Sequence, residues 1–225
     1  LGNIPNGAGL SSSASIEVLT GTVLNTYFET KFDPIKIALL GQAAENNYIN
    51  VGCGIMDQFA SAMGKANHAI LLDCNTLNYI YAPLNITGYK IVIGNTNKKR
   101  GLADSKYNER LAECREALKL LQQQLEINAL GEINLTQLEQ HANLIANPII
   151  YQRARHAVTE NQRTLSAVNA LNENDLIAFG QLMLLAMNVL KNSEEIHEEN
   201  LKADSYTRIL KNSISYVVLY KMICE

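Results

Sequence analysis

A glycine- and serine-rich segment near the start of the sequence has the composition of a phosphate-binding loop. Residues 5–13 read Pro-Asn-Gly-Ala-Gly-Leu-Ser-Ser-Ser. Gly7 and Gly9 allow a tight turn and close approach to a ligand, and the N–H groups at the start of a following helix attract anions. The segment lacks the lysine of a Walker A loop, and Ser12 occupies the place of the third glycine of a dinucleotide fingerprint. Its spacing alone fits an anion cradle or a flexible loop whose serines cap a helix.

Two carboxylates further along the chain could serve the same chemistry. Asp57 falls at the expected start of a helix, where the dipole favours an anion that can accept a hydrogen bond from a substrate hydroxyl. Glu45 precedes two asparagines, and hard cations such as magnesium prefer oxygen ligands of this kind. Either acid alone is more typical of a surface position or a helix cap, so its interpretation depends on the loop.

Two basic segments have alternative interpretations. His156 follows Arg153 and Arg155 and could belong to a phosphate clamp, but we predict an ordinary helix face. The run Lys98-Lys99-Arg100 could steer a nucleotide, but we predict a solvated turn after a strand.

Three predicted helices would position the candidate residues. The first begins at Ser11 and has a buried face, the second begins at Asp33-Pro34 and runs to about Tyr48, and the third covers 55–63 after a glycine turn. The predicted buried residues of the first helix are Ile16, Leu19, Val23 and Tyr27, and those of the third are Met56, Phe59, Ala60 and Met63.

The remaining pattern predicts a hairpin followed by helices. Residues 69–73 and 79–81 should pair as strands, and 89–93 should form a third strand. Helices are expected over 106–125, 136–146, 149–171 and 174–191, with the leucines of the first serving core packing. We place a domain boundary near 84–105, which separates a mixed N-terminal part (1–95) from a helical part (96–225).

Composition excludes several classes of protein. The chain has 225 residues and a formal net charge of −3, with 47% hydrophobic and 18% charged residues. This near balance argues against a general nucleic-acid binder and favours a globular protein without a membrane span. The four cysteines show no metal-binding spacing, and we expect reduced thiols and a cytoplasmic location.

Taken together, three motifs resemble the galactokinase branch of the GHMP small-molecule kinases. They are the loop 5–15, Glu45, and the segment Gly-Cys-Gly-Ile-Met-Asp-Gln-Phe at 52–59. Further similarity lies in Asn-Thr-Asn at 95–97, in 105–110 and in 153–164. The resemblance covers about residues 1–182 and implies an α+β fold with two domains, of which the N-terminal one is like domain 2 of ribosomal protein S5.

The resemblance implies a role for each matching residue. Asp57 would be the catalytic base or orienting acceptor for the C1 hydroxyl of α-D-galactose, and Cys53, Gly54 and Tyr107 would contribute to the sugar site. Ser13 and Glu45 would hold Mg²⁺ on the phosphates of ATP. The loop that would wrap those phosphates comprises Gly7, Ala8, Gly9, Leu10, Ser11, Ser12 and Ser13.

The sequence also departs from this family. The family's N-terminal motif with Arg, Glu, His and Asp and its C-terminal glycine-rich motif are both without a match, and the similarity lapses over 183–225. We therefore expect a fragment that need not be active alone. Two alternatives remain, namely another GHMP kinase and a galactose- and ATP-binding sensor without catalysis. We expect the protein to bind neither nucleic acid nor a membrane. We also expect it to be a monomer.

Overall fold

The fold is that of a computed structural model in which residues 11–89 and 107–192 are described. The predicted third strand, the loop residues Gly7 to Leu10, and residues 193–225 lie mostly or wholly outside these ranges. The helices are α1 (Ser12–Tyr27), α2 (Pro34–Ala44), a π-helix (Glu45–Ile49), α3 (Met56–Met63), α4 (Tyr107–Leu121), α5 (Leu135–Gln140), α6 (Pro148–Asn172) and α7 (Leu176–Asn192), with short 3₁₀ turns at Leu130–Glu132 and Ala142–Leu144. The strands are β1 (His68–Leu72) and β2 (Tyr79–Pro83).

Helix α1 forms where it was predicted, but its predicted buried face is wrong. Ala14 and Val18 are the buried residues, and a Cβ atom on Gly21 would lie 2.8 Å from Cγ2 of Ile37 on α2. The predicted set is instead exposed by half or more: Ile16 55%, Leu19 57%, Val23 55% and Tyr27 78%. Small residues form the contact because they let two helix axes approach closely, and a pattern of large apolar side chains does not reveal such a face.

Helix α2 begins as predicted and ends differently. The side chain of Asp33 accepts a hydrogen bond from Lys36 N at 2.7 Å, and Pro34 occupies the first turn. From Glu45 to Ile49 the backbone widens into a π-helix. Asn50 then adopts a left-handed conformation (φ 59°), and its N–H points back to the carbonyl of Glu45. A single π-helical turn of this kind is common at functional sites.

Helix α3 buries a polar residue that the sequence pattern did not single out. Phe59 is buried as predicted, but Ala60 is exposed, so that part of the predicted apolar side is wrong. Gln58, and not Ala60, is buried on α3, with 2% of its surface exposed. Burial of its amide is tolerated because Nε2 donates a hydrogen bond to Glu17 Oε2 at 3.1 Å.

The predicted hairpin is confirmed and joins the two parts of the chain. β1 and β2 pair antiparallel, with Ile70 opposite Tyr81. A buried apolar cluster connects the hairpin to α6 and α7; its buried members are Ala69, Ala82, Ala167, Val168, Ala170, Leu171 and Phe179. The domain boundary near 84–105 stays a prediction, since much of that stretch lies outside the described ranges.

Of the predicted C-terminal helices, α4, α6 and α7 are present, whereas the one predicted over 136–146 ends at Gln140 and is followed by the 3₁₀ turn Ala142–Leu144. Asn134 and Gln137 form a capping box on α5, and Asn147 caps α6. A second apolar cluster lies between α4, α5 and α6; its largest fully buried members are Leu121, Leu130, Leu138 and Val158. Helices with one small sheet make this an α+β fold, as expected. Within the described ranges no helix is both long and apolar enough to cross a membrane.

Candidate functional site

Helices α1, α2 and α3 pack against one another, and one candidate residue lies at or next to an end of each. Ser13 lies in the first turn of α1, Glu45 directly follows α2, and Asp57 lies in the first turn of α3. Ser13 and Asp57 are exposed, whereas Glu45 is only 5% exposed. One buried acid and two accessible oxygen-bearing side chains are thereby presented on neighbouring elements.

The contacts between α1 and α2 show that these helices run antiparallel. Gly21 approaches Ile37, and one turn closer to the site Gly41 approaches Glu17, with a Cβ on Gly41 lying 3.3 Å from the Cβ of Glu17. One further turn along each helix leads to Ser13 on α1 and to Glu45 on α2, since helical residues four apart share a face.

Glu17 lies beside Glu45 and is bonded to α3. Gln58 Nε2 donates to its Oε2 at 3.1 Å. Burial raises the pKa of Glu17, and the hydrogen bond with Glu45 and the charge of Glu45 raise it further, while the bond from Gln58 acts in the opposite direction. Two acidic side chains therefore converge at the junction of the three helices.

Cys53 is surrounded by the same carboxylates. Burial is the largest cause that raises the pKa of its thiol to about 11, followed by the negative charges of Glu45, Glu17 and Asp57. The thiol donates to Asn46 Oδ1 at 3.3 Å. The thiol therefore lies close to three carboxylates, those of Glu45, Glu17 and Asp57.

The backbone of the glycine turn is held on both sides. Gln42 Nε2 on α2 donates to the carbonyl of Cys53 at 3.1 Å. On the opposite side, Gly52 N donates to Asn108 Oδ1 at 3.1 Å, and Asn108 Nδ2 donates to the carbonyl of Asn50 at 3.4 Å. Since Gln42 is on α2 and Asn108 on α4, the turn is fixed between two helices.

Two predicted sugar-site residues lie around this turn. Among the residues that the structure describes, none would lie within 4 Å of a Cβ atom on Gly54. Tyr107 begins α4 next to Asn108, which places its backbone beside the turn; its side chain lies outside the described set. An open groove of about 490 Å³ adjoins them and is lined by Asn46, Asn50, Gly52, Asn108, Leu111, Ala112 and Arg115.

The predicted phosphate loop is described only at its end. Ser11 is in the left-handed region (φ 54°) and precedes α1, whose first turn holds Ser12 and Ser13. Its carbonyl accepts a hydrogen bond from Ser15 N at 3.0 Å. Gly7, Ala8, Gly9 and Leu10, like the basic run 98–100, lie outside the described ranges.

The interpretation of Arg153 and His156 as a helix face is confirmed. Both lie on α6, and Arg153 Nε forms a salt bridge with Glu113 Oε2 on α4 at 2.7 Å. Arg153 therefore connects two helices of the second apolar cluster.

Sequence reasoning missed Glu17, Gln58, Gly41 and Asn108. A signal existed for Glu17, which follows Ser13 by four residues and so shares its helix face. Gly41 had a similar signal in its spacing, since it precedes Glu45 by four residues. Asn108 becomes meaningful only through a contact with a turn more than 50 residues earlier.

Residues 1–65, which carry all three candidate residues, match the family model described as the GHMP kinases N terminal domain. The chain therefore contains a GHMP kinase N-terminal domain. This GHMP chain is similar to the galactokinase of Clostridium acetobutylicum, at 61% identity over 182 residues, which is 81% of the chain and 47% of the relative. It is also similar to the galactokinase of Bacillus subtilis, at 51% identity over 195 residues, which is 87% of the chain and 50% of the relative.

A solved structure gives the same family and fold. The GHMP chain is similar to the crystal structure of Lactococcus lactis galactokinase complexed with galactose, at 45% identity and a TM-score of 0.85. The similarity covers 92% of this chain and 53% of that one. The chain therefore spans about half the length of the relatives that it matches.

Proposed function

We propose that this chain carries the phosphate-binding, metal-binding and base residues of a galactokinase, which transfers the γ-phosphoryl group of ATP to the C1 hydroxyl of α-D-galactose. The observation that carries the proposal is the meeting of α1, α2 and α3 at the end where Ser13, Glu45 and Asp57 lie. Identities of 51–61% to bacterial galactokinases support the choice of sugar.

The start of α1 would bind the phosphates of ATP. Its first N–H groups have no partner within the helix, and the side chain of Ser11 makes no capping hydrogen bond. Free amides at a positive helix end suit a phosphate. Residues 7–13 would then surround the phosphates with backbone amides, and Ser13 is exposed at the same helix end.

Ser13 and Glu45 fit a magnesium ion in their chemistry. Both offer oxygen ligands, and Glu17 beside Glu45 adds a second acidic group, whose pKa is raised mainly by burial and further by the hydrogen bond with Glu45 and its charge. Within the described ranges no three His, Cys, Asp or Glu side chains form a metal-binding group. This agrees with magnesium sites that use few protein ligands together with substrate phosphates. Bound there, the ion would neutralise charge on the transferring phosphoryl group.

Asp57 would orient and deprotonate the sugar hydroxyl. Its exposure in the first turn of α3 leaves it accessible to a substrate. The C1 oxygen forms the new bond to the γ-phosphorus, the bond from that phosphorus to the bridging oxygen of ADP breaks, and the hydroxyl proton passes to the Asp57 carboxylate. Gly54 and the start of α4 at Tyr107 would border the sugar. Alignment and charge neutralisation supply most of the catalysis in such reactions.

The test is an assay of ADP release by the full-length protein with ATP, magnesium and a panel of acceptors: galactose, glucose, mannose, homoserine and mevalonate. We expect turnover with galactose and at least about 100-fold lower kcat/KM with the other compounds, because a polar site rejects analogues that leave its groups unpaired. Preference for another acceptor would contradict the assignment of galactose. Sugar-dependent ATP binding without turnover would contradict catalysis. The monomeric state and the cytoplasmic location stay predictions from the sequence.

A further inference from the structure

One polar contact joins helices α1 and α3 of the site and packs against α2, close to the residues proposed for chemistry. Gln58 on α3 donates to Glu17 on α1 at 3.1 Å. Gly41 on α2 lies against both, since a Cβ atom there would be 3.1 Å from Cγ of Gln58 and 3.3 Å from Oε2 of Glu17. We call Glu17, Gly41 and Gln58 the crossing triad.

Each member of the crossing triad is next to one proposed functional residue. Glu17 follows Ser13 by one helical turn, Gly41 precedes Glu45 by one turn, and Gln58 follows Asp57 directly. The triad therefore lies within about one helical turn of each proposed functional residue. A shift of a few tenths of an ångström at this crossing would move all three functional side chains relative to one another.

A polar contact at this buried position lowers the stability of the fold. Gln58 is 2% exposed, and its Oε1 receives no hydrogen bond in the part of the chain that the structure describes. An unsatisfied buried acceptor destabilises a fold. An apolar pair would avoid this cost, but it would not fix the distance and direction between α1 and α3 as a hydrogen bond does. Local costs of this kind are expected at functional sites.

We propose that Glu17 and Gln58, packed on Gly41, are positioning residues that set the geometry of the metal- and phosphate-binding end formed by Ser13, Glu45 and Asp57. The role rests on the function proposed above. The proposal assigns the triad no contact with substrate. Its effect is transmitted by the placement of α1, α2 and α3.

The first test measures the affinity of the full-length protein for Mn²⁺·ADP by calorimetry and by electron paramagnetic resonance of Mn²⁺. In Gln58→Glu two carboxylates face each other, and we expect at least tenfold weaker binding because α1 and α3 separate. The reciprocal variant Glu17→Gln with Gln58→Glu restores a carboxylate–amide hydrogen bond, and we expect affinity within threefold of the unchanged chain. Added negative charge alone would instead tighten cation binding in Gln58→Glu, so the two effects differ in sign.

The second test keeps both hydrogen-bonding side chains and moves the helices by packing. Gly41→Ala places a methyl group against Glu17 and Gln58, and we expect at least fivefold weaker binding. Gly21→Ala is the matched control, because its methyl would lie 2.8 Å from Ile37 on the same pair of helices but one turn farther from the site. We expect the control to bind within twofold of the unchanged chain. Circular dichroism identifies temperatures at which all variants are folded. If Gln58→Glu does not fold, Gly41→Ala and Gly21→Ala still test the proposal.

The outcomes separate the two proposals. Equal affinity in the unchanged chain, Gln58→Glu and Gly41→Ala overturns the positioning role while the proposed function stands. Equal loss of Mn²⁺·ADP affinity in Gly41→Ala and Gly21→Ala also overturns the positioning role, because general loosening of the contact between α1 and α2 would then explain the loss. Failure of the full-length protein without substitutions to bind Mn²⁺·ADP overturns the metal and phosphate site itself, and the positioning role with it.

Discussion

The thiol of Cys53 donates a hydrogen bond to Asn46 Oδ1 across 3.3 Å. This contact ties the glycine turn to the π-helix that begins at Glu45. The proposed metal ligand and the proposed sugar-site backbone are therefore parts of one connected unit. A change at either position should be detectable at the other.

Cys53 should be unusually resistant to alkylation. Its pKa is raised to about 11 by burial and by three nearby carboxylates, so at pH 9 about 1% of it is thiolate, against about half of a thiol with an ordinary pKa near 9. We expect iodoacetamide labelling of Cys53, followed by peptide mass spectrometry, to reach half its maximal rate near pH 11. Half-maximal labelling near pH 9 would contradict the local environment described.

The same measurement can report on Glu45. Its charge follows burial among the causes that raise the pKa of Cys53. Glu45→Gln should therefore shift the labelling profile of Cys53 to lower pH and leave that of Cys74, which is also half-buried, unchanged. Equal shifts at both thiols would indicate general unfolding.

Asp57→Asn should separate catalysis from stability. Because Asp57 is exposed, the free energy of unfolding should change by less than about 0.5 kcal/mol. Loss of a proton acceptor should lower kcat of the full-length protein by about 10²–10⁴-fold. Urea unfolding and the ADP-release assay measure the two quantities. Undiminished turnover would exclude Asp57 as the base.

Glu17→Gln should stabilise the chain increasingly as pH rises. The folded-state pKa of Glu17 is raised above 4.5, so the stabilisation associated with its neutral form is complete below about pH 4.5 and is lost as pH rises through the folded-state pKa. The glutamine stays neutral throughout. We expect the variant to gain less than about 1 kcal/mol at pH 7 relative to pH 4, because the carboxyl is partly solvated and screened. Thermal unfolding of both proteins at pH 4 and pH 7 measures this difference in stability. A larger gain in stability at pH 4 than at pH 7 would contradict a raised pKa of Glu17.

Arg153→Met should affect stability and leave nucleotide binding unchanged. The salt bridge to Glu113 is half-buried, with side-chain exposures of 25% and 19%, and its loss should cost about 1–2 kcal/mol. Arg153 joins α4 to α6, so Mn²⁺·ADP affinity should stay within twofold. An affinity loss of tenfold in a folded variant would restore the phosphate-clamp interpretation.

Adjacent substitutions on α1 should distinguish its two faces. Val18 is 7% exposed and Leu19 is 57% exposed. Val18→Asn should lower the free energy of unfolding of this chain by about 2–3 kcal/mol, since it buries an amide, whereas Leu19→Asn should change it by less than about 0.5 kcal/mol. Urea unfolding of both variants compares them. The opposite order would support the face that periodicity predicted.

Much of the local structure was predictable from short-range signals. Asp33-Pro34 marked the start of α2, and the pattern of residues 69–81 marked the hairpin. These features depend on capping and alternation, which involve residues close in sequence. The buried face of α1 was not predictable, because both of its faces carry residues three and four apart and only packing against Ile37 selects the one with Gly21.

The sequence by itself determined the family, through the loop, Glu45 and the segment that contains Asp57, because those motifs are local and specific. Only the tertiary structure decided which side chains support them. Glu17 and Gln58 are 41 residues apart, and Gly52 and Asn108 are 56 apart. Their hydrogen bonds exist because three helices and a turn pack together, and the placement of packed helices depends on contacts between residues that are distant in the chain.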